Sequence, residues 1–214
     1  IYENIKKFVN YLLSSNLAEV LIILFAILFS WPLPMTAIML LWINLVTDGF
    51  PALSLSVDPN PKDLMKKPPK KAKERIMNKS MIFNIVFVSS LIAIAVLSLF
   101  YWAMIKYTNL ESSLYLQKIQ TIAFTAIIIM EFVRLYTIRS EYKLGLFSNK
   151  YLIIAIVASI LLQLAVIYTP LSIIFGTTDL SFLDWGMIVG ATVGVLLMNI
   201  IGIKIKNHIK YFND

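Results

Sequence analysis

The stretch LLWINLVTDGFPALSLSVDPNP, residues 40–61, decides the fold. It opens as apolar as a membrane helix. Within five positions it then places Asn44, Thr47 and Asp48, and it continues with Gly49 and Pro51. An amide, a hydroxyl and a carboxylate stand where a lipid-facing helix would carry hydrocarbon. They lie at i, i+3 and i+4 and therefore share one helix face. Pro51 has no amide hydrogen, which frees the carbonyl of Thr47, and Gly49 eases a bend at the same place. A broken helix at membrane depth is tolerated where it lines a cavity, and the break exposes further oxygens.

Working outward, the preceding apolar segment carries a matching face. In SSNLAEV, residues 14–20, Asn16 and Glu19 are three apart. The short WPLP turn, residues 31–34, would set the two helices antiparallel. At about 1.5 Å per residue, Glu19 lies roughly 16 Å in from Phe8, and Asp48 roughly 20 Å in from Met35. Both depths are near the bilayer middle. A third carboxylate, Glu131, sits in the apolar run AFTAIIIMEFVRLY. Each carboxylate at a helix centre costs roughly 2.5–3.5 kcal/mol, so the three together cost on the order of 8–10 kcal/mol. A proton, a partner or a cation must offset that. All of these groups offer oxygen, and an array of carboxylates, amides and carbonyls suits Ca²⁺, which takes 6–8 oxygens. The competing reading is a hydrogen-bond knot between helices. For Glu131, pairing with Arg134, three residues on, competes with a ligand role.

The composition agrees with a membrane location. The chain has 214 residues, 59% of them hydrophobic and only 14% charged, more apolar than soluble domains. It has no cysteine and one histidine, His208, which excludes thiolate chemistry and argues against a zinc, copper or haem site. Ile1–Asn10 is charged and shows no signal-peptide cleavage pattern, and with no Met at position 1 the chain is expected to be a piece of something longer.

The expected fold is all-α, a polytopic bundle forming one cation-translocating domain over residues 1–214. Six spans are read at about 8–31, 35–57, 81–106, 114–138, 151–169 and 182–204, the first continuing an amphipathic stalk, Tyr2–Lys7, and the second interrupted near Gly49 and Pro51. Of the 19 basic residues, 17 fall on the stalk, the 58–80 loop, Arg134, the 139–150 loop and the C-terminal tail; Lys106 and Lys118 flank the opposite loop. This bias places both termini in the cytoplasm and accounts for the net charge of +7 without nucleic acid. The 58–80 loop, stiffened by Pro68 and Pro69, is read either as a solvated loop or as a docking surface for a cytoplasmic domain. Trp31, Trp42, Trp102 and Trp185 are read mostly as anchors near span ends, and Gln163 and Asn199 as interhelical hydrogen-bonding groups. The four-residue spacing of Gly186, Gly190 and Gly194 predicts close helix packing.

Two stretches go beyond such physics. IYENIKKFVNYLLSSNLAEV and LLWINLVTDGFPALSLSVDP resemble the fifth and sixth membrane helices of type II P-type cation-transporting ATPases, most of all calcium pumps of the sarco/endoplasmic-reticulum kind. The SSN-x-x-E and N-x-x-T-D-G-x-P patterns and the basic Pro-Pro loop carry the likeness. It covers essentially the whole chain, as helices five to ten. The resemblance implies that Asn16 and Glu19, Thr47 and Asp48, and Glu131 bind a first calcium ion. It further implies that Asn44 and Asp48 contribute to a second site, completed by a helix this stretch does not contain. It implies Ca²⁺ as the transported ion, with ATP and Mg²⁺ acting only through other domains, because no D-K-T-G-T motif occurs here. The partners it implies are the first four helices and the actuator, nucleotide-binding and phosphorylation domains. The stalk and the 58–80 loop would link to them.

Desolvation and mutual repulsion favour protonated carboxyls when the cation has left, so proton counter-transport is a further expectation. The alternatives are another cargo (Mn²⁺, Na⁺/K⁺ or H⁺), a non-transporting membrane scaffold, or a channel, for which no filter pattern is present.

Overall fold

The computed structural model describes residues 2–59, 77–142, 144–145 and 147–208, without the side chains of 204–208. Most of the 58–80 loop, including Pro68 and Pro69, and the side chain of His208 lie outside the described residues.

The described chain is helical: α1 (Tyr2–Leu28), α2 (Ala37–Trp42), a π-helical turn (Ile43–Thr47), α3 (Gly49–Ser56), α4 (Lys79–Lys106), α5 (Ser112–Glu141), α6 (Lys150–Tyr168), α7 (Leu171–Phe175) and α8 (Phe182–His208). Six segments are long and apolar enough to cross a membrane, the second being α2, the π turn and α3 taken together. The six expected spans match within a few residues. The short α7 was not foreseen: Pro170 opens it, and Gly176 closes it at φ 65°.

Local chemistry sets the helix ends. Ser30 takes the left-handed conformation at φ 56°, and two backbone bonds close α1: Trp31 N to Ala26 O at 2.9 Å and Ser30 N to Ile27 O at 3.0 Å. Asn78 accepts from Met81 N at 2.8 Å to start α4. Asn149 accepts from Leu152 N at 3.1 Å to start α6. Ser181 and Asp184 cap α8 reciprocally.

α1 packs on α3, α4 and α5, while α5 also meets α4, α6 and α8. The apolar stretch of α5 is 83% buried and that of α8 only 22%, so α5 is the central post and α8 a peripheral one. Polar knots tie both ends of the bundle. At one end the buried Asp58 accepts from Lys7 Nζ at 2.5 Å, Arg139 Nε at 3.1 Å and Asn149 Nδ2 at 3.0 Å. At the other, the buried Asp184 accepts from Tyr107 Oη at 2.6 Å and pairs with Lys118 Nζ at 2.8 Å. Each carboxylate is held by a cation and further donors, which a buried charge requires.

Several expectations change. Gly186, Gly190 and Gly194 face open space, with nothing within 4 Å of an added Cβ; the close approach is at Gly202, where a Cβ would meet Phe87 Cε1 at 2.5 Å. Four-residue spacing marks a stripe, but contact needs a neighbour that fills it. Trp42 is not an end anchor: it lies six residues into the second span, and its Nε1 donates to Gln163 Oε1 at 3.2 Å. Gln163 thus bonds between helices as expected. Asn199 makes no side-chain hydrogen bond among the described residues, and its buried Oδ1 has no partner.

Candidate cation site

The second span breaks one turn earlier than Pro51 alone suggests. At Ile43–Thr47 the helix widens, and Asp48 N donates to Ile43 O at 2.8 Å, an i→i+5 bond. Pro51 then sits in the first turn of α3, where a missing amide hydrogen costs little. Gly49 is not sterically demanded there: an added Cβ would meet Asn44 O at an ordinary 3.6 Å. The wide turn, rather than the glycine, turns the Asn44–Asp48 face towards α1 and α5.

One carboxylate oxygen each from Glu19 on α1, Asp48 beside the π turn and Glu131 on α5 lie within 4.8 Å of one another. Two oxygens on opposite sides of one Ca²⁺ at 2.3–2.6 Å stand about 5 Å apart, so the three fit around a single ion of that size. Asp48 and Glu131 are fully buried, and Glu19 is 7% exposed. Tyr11 Oη donates to Asp48 Oδ1 at 2.5 Å. Asn44 Nδ2 donates to Glu19 Oε2 at 2.9 Å and Oε1 at 3.2 Å, leaving its amide oxygen uncommitted to Glu19. Thr47 is buried, and its hydroxyl donates to Ile43 O at 3.1 Å inside the wide turn.

What the cluster lacks among the described residues is a cationic partner, and its donors do not reach every oxygen. Asp48 Oδ2, both oxygens of Glu131 and the neighbouring Ser15 Oγ are buried without a hydrogen-bond partner. Buried acceptors are otherwise paired, and native structures keep few exceptions. These unpartnered oxygens of Asp48 and Glu131 lie in a cluster shared with Glu19, a condition a hard cation or protons would relieve.

Of the six residues singled out in the sequence, five share this neighbourhood. Asn16 does not join them: it is exposed on α1 and has no hydrogen bond among the described residues. Asn44 is exposed as well, so the cluster opens towards a side of α1 and the second span that the described chain leaves uncovered. Glu131 is not paired with Arg134. That guanidinium turns to α1, with Nη2 donating to Asn10 Oδ1 at 2.9 Å and Nε to Ser14 Oγ at 3.3 Å. Sequence reasoning missed Tyr11 and Ser15, although Tyr11, Ser15 and Glu19 repeat every four residues and so form one stripe on α1.

Residues 32–205 match the family model described as "Cation transporting ATPase, C-terminus". The chain belongs to this family. It is 40% identical over 194 residues to a calcium-transporting ATPase of Bacillus subtilis, covering 89% of this chain and 21% of that relative. It is 36% identical to calcium-transporting ATPase 1 of Bacillus cereus, covering 98% of this chain and 24% of the relative. The calcium-transporting ATPase type 2C member 1 of Mus musculus is 36% identical over 211 residues, covering 96% of this chain and 22% of its own length. The chain thus spans between a fifth and a quarter of the cation-transporting ATPases it matches, and within them it is a multi-pass membrane part.

Proposed function

We propose that this chain is the cation-binding and translocating membrane domain of an ATP-driven pump, with Ca²⁺ as its cargo. The observation that carries the proposal is the convergence of three buried carboxylates from separate segments within 4.8 Å, with Asp48 Oδ2 and both Glu131 oxygens lacking a hydrogen-bond partner. A scaffold would gain nothing by gathering three buried carboxylates with no cationic side chain among them, since a knot holding helices together would pair them as Asp58 and Asp184 are paired. Glu19, Asp48 and Glu131 supply charge, and Asn44 and Thr47 supply neutral oxygens. Asn16 becomes a ligand only if a segment outside this chain brings the cation to the open side. The names of the calcium-transporting relatives favour Ca²⁺ over Mn²⁺, Na⁺/K⁺ or H⁺. The SSN-x-x-E pattern supports a pump of the sarco/endoplasmic-reticulum kind.

In this reading ATP and Mg²⁺ act on cytoplasmic domains outside this chain. The stalk at the start of α1 and the 58–80 loop are the mechanical links to them. Both termini face the cytoplasm, as the distribution of basic residues supports. Protons replace the cation on Glu19 and Glu131 during the return step.

The test uses the full-length pump that contains this chain. Asp48→Asn should abolish Ca²⁺-stimulated ATP hydrolysis while the protein still folds and inserts. Retention of full Ca²⁺-stimulated activity in that variant would sink the assignment. Glu19→Gln should shift both cation affinity and its pH dependence; if neither moves, proton counter-transport is wrong.

A further inference from the structure

The bundle buries a second kind of charge beside the carboxylates. Arg134 is 1% exposed, in the C-terminal third of the central helix, and is among the largest fully buried side chains. A guanidinium stays protonated in proteins, so this is a fixed positive charge. A charge buried within a membrane bundle is expensive and marks function by default. Neither of its hydrogen-bond partners is an anion: Nη2 is held by the Asn10 amide oxygen at 2.9 Å and Nε by the Ser14 hydroxyl at 3.3 Å, and the carboxylate that acts on it electrostatically is Glu141, seven residues on. Its Nη1 is buried with no partner at all. Glu131, three residues back and therefore about 4.5 Å along the same helix, has two partnerless oxygens of its own. Yet no ion pair joins them. The guanidinium is tied back to α1 by two neutral groups, near the cluster but not in it. By contrast, Lys7, Arg139 and Lys118 each meet a carboxylate directly.

We propose that Arg134 is a charge-setting residue of the cation site, a resident positive charge whose field weakens the hold of Glu19, Asp48 and Glu131 on the transported ion. The proposal rests on the reading of the carboxylate cluster as that ion's site. A pump must release what it binds, and three carboxylates in a water-poor bundle hold a divalent ion strongly. A guanidinium held on Ser14, beside the cluster's Ser15, repels the ion without taking up any of its ligands. Asn10 and Ser14 keep it from collapsing onto Glu131, which would block the site. The role thus has two parts: the charge, and the tether that fixes its distance.

The experiment measures the Ca²⁺ concentration that half-saturates ATP hydrolysis in the full-length pump, for the unaltered protein and for Arg134→Gln, Arg134→Lys and Asn10→Leu. Arg134→Gln keeps a hydrogen-bonding side chain and deletes the charge; half-saturation should fall about tenfold or more. Arg134→Lys keeps the charge and should stay within about threefold of the unaltered protein. Asn10→Leu releases one tether while keeping the charge, and should raise the half-saturating concentration. Equal shifts in the Gln and Lys variants would show a packing role and overturn the proposal, as would an unshifted Gln variant. If Arg134→Gln does not fold, the Lys and Asn10 variants decide: weakened binding in Lys, or unchanged binding in Asn10→Leu, overturns it. Absence of any Ca²⁺ stimulation in the unaltered pump sinks the site itself. Stimulation that is present but insensitive to Arg134 sinks only this inference.

Discussion

Asn44 shows how much a single amide does in this bundle. Its Nδ2 reaches both oxygens of Glu19 and also the carbonyl of Leu40 at 3.0 Å. The amide nitrogen thus ties Glu19 to the turn before the π-helical segment. Asn44→Leu removes the donors that hold Glu19 and, in the proposed site, one neutral oxygen. Losing a hydrogen bond to a buried charge costs about 1.5–3 kcal/mol, so cation affinity in the full-length pump should fall at least tenfold. Unchanged affinity would separate Asn44 from the site. Glu19, Asp48 and Glu131 could be picked out of the sequence because hydrocarbon makes a carboxylate expensive wherever it stands. Tyr11 could not, because a tyrosine near a span end is ordinary and only its spacing from Ser15 and Glu19 betrays it. The partner of Arg134 was equally hidden. Two residues three apart can always meet, but a long side chain chooses among neighbours on other helices, and only the packing of α5 on α1 offers Asn10 and Ser14.

Among the elements, α8 and the second span separate pattern from contact most clearly. Glycines 190 and 194 border an apolar groove of about 630 Å³ between α4 and α8 rather than a tight crossing. Gly190→Ala should therefore be neutral or stabilise by up to about 1 kcal/mol through helix propensity. Gly202→Ala must displace Phe87 and should destabilise by about 1–3 kcal/mol. Thermal unfolding of the purified protein in detergent orders the two, and the reverse order would refute the packing of α8 on α4. The sequence carried the glycine stripe but not its neighbour, since close packing belongs to a pair of helices. In the second span, Gln163 holds Trp42 directly before the wide turn and reaches Thr125 Oγ1 at 3.5 Å. Gln163→Leu should cost about 1 kcal/mol of stability, typical of polar contacts between membrane helices. The interruption was legible from Pro51, whereas its placement at Ile43–Thr47 depends on neighbours that let the turn widen.

For the molecule as a whole, the spans and their order were legible because twenty apolar residues between polar loops have few other uses. The rank of the helices was not: nothing in the composition of α5 says that it is the central post, apart from the cluster of buried polar groups it carries. The knot at Asp58 was invisible for the same reason, since it draws Lys7, Arg139 and Asn149 from distant parts of the chain. Asp58→Ala leaves two cations buried without their anion and should destabilise the fold by about 3–5 kcal/mol. A fall in the unfolding temperature, or loss of detergent-stable protein, checks this; unaltered stability would mean that the knot does not hold the bundle.

The π turn carries one residue more than an α-helix would use over the same length, and each α-helical residue is worth about 100° of rotation. Sliding that surplus residue past Asp48 would swing the carboxylate through about a quarter revolution while the flanking segments stay in place. Such a shift would turn Asp48 into or out of the carboxylate cluster without unlacing the bundle at its tied ends.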